Sequence, residues 1–222
     1  MNKHSNLDIH LFSPGARILF QGDSITDGNR GRTLDPNHIL GHGYAFIIAA
    51  RHGAAFPERE LTFLNRGVSG NTVVNLRERW TADTVDLEPT VLSILVGVND
   101  AGRAASGEDI GSIEQFARDY DSLLADTLNA LPNLTLVLCE PFLASADKTS
   151  RRWREVQGRQ EVVASLADKH NSIFVPLQHV IDEACERAPS EYWLWDGVHP
   201  TYSGHQLIAD EWEQTVRLAA VG

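Results

Sequence analysis

The 222-residue chain has few cysteines and no long apolar run. Cys139 and Cys185 are its two cysteines, and without a secretion signal we expect two free thiols rather than a disulfide. The polar segment 1–10 lacks the basic-then-apolar order of a signal peptide. No stretch contains enough consecutive apolar residues to span a bilayer. These absences predict a cytoplasmic protein with no membrane partner.

Basic residues are also scarce, since 19 Lys and Arg stand against 30 Asp and Glu, for a formal net charge of -11. Nucleic acids and anionic membranes favour basic surfaces, so neither is expected as a partner. The balance fits a neutral substrate better than a strongly anionic one. A hydrophobic fraction of 42% and a charged fraction of 22% are typical of a globular protein. We predict a single domain over residues 1–222, because this length supports one large core.

Five short apolar runs alternate with segments of helical period. The runs are continuous in Ile, Leu, Val or Phe, as expected of strands that are covered on both faces. Apolar residues recur at spacings of three and four between and after them, which predicts amphipathic helices. Alternating strands and helices predict a three-layer α/β fold with a mainly parallel sheet. The strands are expected at 17–21, 61–65, 91–96, 134–140 and 172–176, and the clearest helices at 113–128, 153–166 and 207–216.

A candidate nucleophile follows the first apolar run, in the sequence Gly-Asp-Ser-Ile at 22–25. A serine on the turn that leaves a buried strand is exposed enough to attack a substrate. A phosphate-binding loop is disfavoured because Asp23 and Asp27 would repel a phosphate and the usual glycine spacing is absent. On these residues alone, Ser24 fits either a catalytic serine or an ordinary turn serine.

An acid and an imidazole lie three residues apart near the other end of the chain, in Asp-Gly-Val-His at 196–199. His199 is outside any helix because Pro200 restricts the residue before it. Asp196 is close enough along a turn to accept the Nδ1–H of His199, which would leave Nε2 free to take a proton from Ser24. A lone surface histidine is the alternative. The pairing with Asp196 favours a serine hydrolase.

Two further strand ends carry groups that suit the negative oxygen of a tetrahedral intermediate. The second strand ends in the glycine-containing turn 65–71, and Asn99 follows the third strand with a side-chain amide to donate. Turn geometry for the glycines and a local backbone cap for Asn99 are the alternatives. Carboxyl ends of parallel strands meet at one edge of a sheet, so Ser24, Gly70, Asn99 and His199 are expected to form one site.

The four blocks resemble those of the SGNH hydrolase family, also called GDSL-type esterases. In chain order they read GDSIT at 22–26, NRGVSGN at 65–71, GVND at 97–100 and DGVHP at 196–200, with Ile25 in place of the family's leucine. The resemblance implies Ser24 as nucleophile, His199 as general base and Asp196 as its orienting carboxylate. It also implies an oxyanion hole made by the backbone N–H groups of Ser24 and Gly70 and the side chain of Asn99. The implied fold is flavodoxin-like, with a five-stranded parallel sheet in the order 2-1-3-4-5 and no cofactor.

Within this family the chain is most similar to small acetylxylan esterases of the intracellular type. The similarity extends beyond the four blocks to Gly-Tyr at 43–44, Arg-Trp at 79–80 and Trp195. It implies a small ester substrate, an acetylated xylo-oligosaccharide, and allows a homo-oligomer. The alternatives are a lipolytic esterase, thioesterase or lysophospholipase for longer acyl chains, and a carbohydrate-binding or scaffolding protein without catalysis.

Four other side chains are candidates for binding. His38 and His42 stand four apart, but the glycines around them disfavour a helix and no third ligand is evident, so no metal site is predicted. Trp195 is predicted to line the acyl pocket or to stack on a sugar, although it and Trp193 also suit an interface. Arg30 is either a hydrogen-bond donor to substrate hydroxyls or a solvated loop arginine.

Overall fold

The computed structural model of the protein describes residues 7–33 and 35–219, so part of the N-terminal segment considered above lies outside it. Its centre is a five-stranded, all-parallel sheet that consists of β1 (Arg17–Gly22), β2 (Thr62–Asn65), β3 (Val91–Leu95), β4 (Thr135–Cys139) and β5 (Ile173–Val175). The strand order is β2-β1-β3-β4-β5. Both the flavodoxin-like order and the five predicted strands are confirmed.

The strands form where the chain is apolar on both faces. Every residue of the central strand β3 is buried, as are five of the six residues of β1. Phe20 pairs with Asn65 on one side of β1, and Gly22 pairs with Leu95 on the other. Because all strands run the same way, the ends of β1, β2 and β3 lie side by side at one edge.

Helices cover both faces of the sheet. They are α1 (Ser24–Asp27), α2 (Tyr44–Ala55), α3 (Val73–Asp83), α4 (Val98–Ser106), α5 (Ile113–Ala130), α6 (Arg151–Lys169), α7 (Gln178–Arg187), α8 (Ser190–Trp193) and α9 (Tyr202–Ala219). The three predicted helices correspond to α5, α6 and α9. The first residues of α5 and α6 are capped by the side chains of Ser112 and Ser150.

Two apolar cores lie on opposite faces of the sheet, because successive strand residues point to opposite sides. Phe20 belongs to a core shared with Tyr44 of α2 and Trp212 of α9. Leu19 belongs to the other core, with Trp80 of α3 and further side chains of α5 and α6. This arrangement is the predicted three-layer architecture.

Cys139 is buried in β4 and Cys185 is half-buried in α7, and both are free thiols, as expected. Among the described residues, no helix has the length and apolarity needed to cross a membrane.

Candidate active site

The nucleophile candidate stands on a tight turn between β1 and α1. Gly22 has φ +152°, and a Cβ there would collide with the carbonyl oxygen of Leu95 in the neighbouring strand, so the position requires glycine. The carboxylate of Asp23 accepts the backbone N–H of Ile25 at 3.0 Å and caps the short helix. Ser24, the first residue of that helix, is thereby held at the edge of the sheet.

Ser24, His199 and Asp196 form a continuous hydrogen-bonded chain. Ser24 Oγ is 2.9 Å from His199 Nε2, and His199 Nδ1 is 2.6 Å from Asp196 Oδ2. The other carboxylate oxygen, Oδ1, accepts the backbone N–H groups of Val198 and His199 at 3.0 and 2.8 Å. Partial burial raises the pKa of Asp196, but these hydrogen bonds outweigh it and hold that pKa below its usual value. The carboxylate therefore stays ionised beside the imidazole.

The loop that carries Asp196 and His199 is fixed at its base. Leu194, which is fully buried, and Pro200 form an antiparallel bridge, and the N–H of Trp195 donates to the carbonyl of His199 at 3.1 Å. Gly197, at φ +84°, accepts the N–H of Ala144 at 2.9 Å. These contacts fix the imidazole relative to the sheet, 175 residues along the chain from Ser24.

Two of the three expected oxyanion donors lie in the segments that follow β2 and β3. Asn99, in the first turn of α4, donates one amide hydrogen to the carbonyl of Asn71 at 3.1 Å, which leaves the second hydrogen for another acceptor. Gly70 occupies the left-handed region at φ +81° in the turn before α3. Both residues line the same cavity as Ser24 and His199.

Asp27 ties the Gly70 turn to the nucleophile helix. Its Oδ2 accepts both the backbone N–H and the hydroxyl of Ser69 at 3.1 Å, and Arg32 donates to the same carboxylate at 2.7 and 3.0 Å. Burial raises the pKa of Asp27, but the hydrogen bonds from Arg32 and Ser69 lower it by more. The ionised carboxylate fixes where the Gly70 N–H lies relative to Ser24.

Asn65, the first residue of the motif at 65–71, is a second buried side chain that holds the site in place. The sequence does not reveal this role. Its amide nitrogen donates to the carbonyls of Thr26 and Leu40 at 2.7 and 2.9 Å, and its carbonyl oxygen accepts the N–H of Gly67 at 2.9 Å. It therefore joins the end of β2 to α1 and to the loop before α2. The local sequence indicates this role only in that a polar residue ends an apolar strand.

The cavity has a volume of about 510 Å³ and includes a histidine that the sequence reasoning missed. His205, in the first turn of α9, is buried and accepts the backbone N–H of Tyr44 at its Nδ1, at 3.2 Å. Burial, and then the charges of His42 and His199, lower the pKa of His205 to about 4. At neutral pH the ring is neutral and its Nε2 carries the hydrogen, so it can only donate there. Besides these residues the cavity is lined by Gly28, Asn29, Ser69, Trp195 and Pro200.

Two buried carboxyl groups lie beside the reactive residues. Burial is the main cause that raises the pKa of Asp23 to about 7 and that of Asp100 to about 6, and the charge of Asp100 adds to the effect on Asp23. One oxygen of Asp100 accepts the N–H of Val73 at 3.3 Å, and the second oxygen of each acid is buried without a hydrogen bond. Near neutral pH a part of the Asp23 carboxyl groups is therefore protonated, which lowers the cost of burying this side chain.

Trp195 lies at the mouth of the cavity. Its side chain is 64% exposed, and its ring stacks on that of His199 with centroids 6.1 Å apart. Trp193 does not line the cavity. It packs at the edge of the core, with Tyr192 at 4.8 Å and the guanidinium of Arg187 over its ring at 5.1 Å. The two tryptophans, which the sequence grouped, therefore face different surroundings.

Arg30 is not brought to this cavity. Its Nε donates to the carbonyl of Gly67 at 2.9 Å, and its side chain lines a separate, neighbouring pocket. His38 is exposed and 3.8 Å from Asp35, whereas His42 lines the cavity. Within residues 7–33 and 35–219 no three His, Cys, Asp or Glu side chains are grouped so that they could hold a metal.

Comparison with known proteins gives one family for almost the whole chain. The model of the GDSL-like Lipase/Acylhydrolase family matches residues 20–207. An acetylxylan esterase of Geobacillus stearothermophilus is 30% identical over 199 residues, which cover 88% of this chain and 91% of the relative. A crystal structure of acetylxylan esterase from that organism has a TM-score of 0.84 at 29% identity, covering 92% of this chain and 95% of the other. A GDSL-like lipase from Parabacteroides merdae has a TM-score of 0.87 at 38% identity, covering 92% and 96%.

These matches agree with the fold, and they span the segment that contains all four motif blocks. The chain belongs to the GDSL-like lipase/acylhydrolase family, and it is a serine hydrolase of carboxylic esters.

Proposed function

We propose that the protein is a carbohydrate acetylesterase that removes acetyl groups from xylo-oligosaccharides, with Ser24, His199 and Asp196 as its catalytic triad. The observation that carries the triad is the pair of distances from His199, 2.9 Å to Ser24 Oγ and 2.6 Å to Asp196 Oδ2. The substrate class is supported by the similarity to an acetylxylan esterase along most of both chains.

The reaction proceeds in two acyl transfers. Ser24 Oγ attacks the ester carbonyl carbon while its proton passes to His199 Nε2, and ionised Asp196 stabilises the imidazolium that forms. As the tetrahedral intermediate collapses, the bond to the sugar oxygen breaks and His199 returns the proton to that oxygen. The acetyl group is now on Ser24. Water then gives a proton to His199 and attacks the acyl carbon. The bond from that carbon to Ser24 Oγ breaks, His199 returns the proton to Oγ, and acetic acid leaves and ionises to acetate.

The negative oxygen of each intermediate is held by the backbone N–H groups of Ser24 and Gly70 and by the free amide hydrogen of Asn99. No side-chain charge is required, since all three donors are neutral. The Asp27 carboxylate and the buried amide of Asn65 hold the turn and helix that carry two of them. The oxyanion donors are therefore positioned before the substrate binds.

The lining of the cavity favours a sugar with a small acyl group. Seven of its eleven lining residues have imidazole, amide or hydroxyl side chains, which are suited to sugar hydroxyls. The exposed indole of Trp195 offers a flat apolar face beside His199, on which a sugar ring can stack.

The direct test of the triad is substitution of the nucleophile. We expect Ser24→Ala to lose esterase activity and labelling by a fluorophosphonate while keeping its circular dichroism spectrum, because only the attacking oxygen is removed. The matched control is Ser165→Ala, which changes an exposed serine on α6 and should leave both readouts intact. A folded Ser24→Ala protein with full activity refutes the proposal. A folded wild-type protein that takes no label favours the non-catalytic alternative.

An esterase for longer acyl chains is the second candidate. It is favoured by three exposed aromatic side chains in the segment of the chain that contains Asp196 and His199, namely Tyr192, Trp195 and Tyr202. Such side chains can hold an acyl chain as well as a sugar. Rates on a series of chromogenic esters separate the two functions. A steep fall beyond acetyl supports the deacetylase, and a maximum at longer chains supports the lipolytic enzyme.

A further inference from the structure

A second pocket, of about 270 Å³, adjoins the catalytic cavity and is rich in arginine. Arg30, Arg32 and Arg66 line it together with Asp83, Thr33 and Ile39. We call this the arginine pocket. Its volume is just below the range for small-molecule sites, about 300–1,000 Å³, which suits one sugar residue or a smaller group.

The positive charges of the arginine pocket are only partly neutralised. Arg32 pairs with Asp27 through two nitrogens, whereas Arg66 and Arg79 share Asp83, at 3.8 and 3.0 Å. No carboxylate in the described part of the chain forms an ion pair with Arg30, whose Nε donates to a backbone carbonyl. The cluster thus has an excess of two positive charges, in a protein whose net charge is -11.

Contacts with the surrounding structure hold these guanidinium groups in place. Arg79 donates to Asn71 Oδ1 at 2.7 Å and to the carbonyl of Arg66 at 2.8 Å, and the side chains of Arg66 and Arg79 are about four-fifths buried. Burial, and then the neighbouring charge of Arg32, lower the pKa of Arg30 to about 10, so it remains charged at neutral pH. Like charges held close together at partly buried positions favour the binding of an anion.

The arginine pocket and the catalytic cavity share a wall. Gly28 and Asn29 line the cavity, and the next residue, Arg30, lines the arginine pocket. Asp27 contacts both, since its Oδ2 accepts from Arg32 on one side and from Ser69 of the cavity on the other. The segment 28–33 therefore lines the catalytic cavity with its first residues and the arginine pocket with the residues that follow, and we infer that one oligosaccharide can occupy both.

We propose that the arginine pocket binds a carboxylate of the substrate, so that the enzyme prefers acetylated oligosaccharides that also bear an acidic sugar. Guanidinium groups suit carboxylates because they donate two parallel hydrogen bonds. The net charge does not oppose this binding, because charges beyond a Debye length of about 8 Å are largely screened at physiological salt. The inference rests on the proposed deacetylase function and adds a preference among its substrates.

The test compares kcat/KM for two acetylated xylo-oligosaccharides of the same length, one with a uronic acid branch and one without. The wild type should favour the acidic substrate by about tenfold or more at physiological salt, the size expected of one charge-assisted hydrogen-bonded pair. Arg30→Gln should reduce that ratio towards one. The matched control is Arg77→Gln, which changes a half-exposed arginine on α3 outside the pocket and should keep the wild-type ratio. Equal rates of the wild type on both substrates overturn the proposal.

A second variant guards against misfolding of Arg30→Gln. Thr33→Glu adds a negative charge at the exposed wall of the pocket and should lower the same ratio. If the protein hydrolyses simple esters but releases no acetate from either oligosaccharide, the deacetylase function itself is refuted. If it releases acetate equally well from both, only the preference for an acidic sugar is refuted.

Binding to the catalytically inactive Ser24→Ala protein distinguishes a substrate carboxylate from a free anion. Calorimetry with the deacetylated acidic oligosaccharide should show binding that the added change Arg30→Gln weakens about tenfold, matching one lost charge-assisted pair. Binding of inorganic phosphate without binding of the acidic oligosaccharide would identify a free-anion site and contradict the proposal.

Discussion

Asn99 has one amide hydrogen bonded within the protein and one available to the reaction. The bond to the carbonyl of Asn71 fixes the direction of the second hydrogen, which suits an oxyanion donor. We predict that Asn99→Ala lowers kcat about 10²–10³-fold with a much smaller change in KM, because the oxyanion exists only in the transition state and intermediate. Steady-state kinetics on an acetyl ester measure both constants. A change confined to KM would assign Asn99 to ground-state binding instead.

His205 is held as a neutral hydrogen-bond donor by the N–H of Tyr44. The shorter side chain of His205→Asn keeps an acceptor near the Nδ1 position but places no donor near the Nε2 position. The longer side chain of His205→Gln keeps a donor near the Nε2 position. We therefore predict a higher KM for oligosaccharides in the Asn variant than in the Gln variant, with similar kcat. Because the pKa of His205 is lowered to about 4, the ratio of the KM of the Asn variant to that of the wild type should be constant between about pH 6 and pH 8. Equal KM values in the two variants would contradict the assignment.

At the scale of single residues, the sequence identifies the side chains that lie in the four motif blocks and misses site residues that lie outside them. Ser24, Asp196 and His199 are predicted as partners, and the structure brings them within hydrogen-bonding distance. His205 is missed because it lies outside these blocks and nothing local marks its contact with Tyr44, 161 residues away. For Arg30 the sequence leaves two alternatives, a donor to substrate hydroxyls or a solvated loop arginine, and it does not reveal the hydrogen bond to the carbonyl of Gly67, 37 residues away.

At the scale of elements, the turn from β1 to α1 depends on the close approach of β3. A side chain at position 22 would collide with the carbonyl oxygen of Leu95. The backbone angle at this position, φ +152°, is also one that residues with a side chain rarely adopt. We predict that Gly22→Ala lowers the free energy of unfolding by about 1–3 kcal/mol or more, as overpacking does, and lowers activity by moving Ser24. Urea unfolding measures the first effect and ester hydrolysis the second.

Gly53 provides the control for that substitution. It lies within α2, and no atom is within 4 Å of the position of an added Cβ. Gly53→Ala should therefore stabilise the protein by roughly 0.5–1 kcal/mol, the difference between the two residues in a helix. Equal changes in the free energy of unfolding for Gly22→Ala and Gly53→Ala would show that the close approach of β3 does not determine the turn from β1 to α1.

The strands were more predictable than the helices. Each strand is a continuous apolar run because helices cover both faces, and such runs are visible without alignment. Residues 113–128 predict α5 through their spacing, but α1 and α8 have four residues each, too few to show a period. α4 begins directly at the Asn99 motif, where the polar residues of the site mask the helical pattern.

At the scale of the whole molecule, buried acids next to the site make stability depend on pH. Burial raises the pKa of Asp100 to about 6 from an unfolded value of about 4, so the folded state holds a proton that the unfolded state has released between these values. The contribution of Asp100 to stability is complete below about pH 4 and is lost as the pH rises through 6. Asp23, with a pKa of about 7, acts in the same direction.

We therefore predict that Asp100→Asn, which cannot ionise, becomes more stable relative to the wild type as the pH rises from about 4 to 7. Urea unfolding at several pH values measures the difference. A difference that does not change with pH would show that Asp100 titrates alike in the folded and unfolded chain.

The most direct test of the central claim is the mass of the protein itself during turnover. Wild-type protein mixed rapidly with an acetyl ester and quenched in acid should gain the mass of one acetyl group, located on Ser24 by peptide mapping. Ser24→Ala should gain none and release no acetate above background. An active wild-type enzyme with no acetyl group on Ser24 at any quench time, together with an active Ser24→Ala variant, would contradict the triad and the acyl-enzyme mechanism.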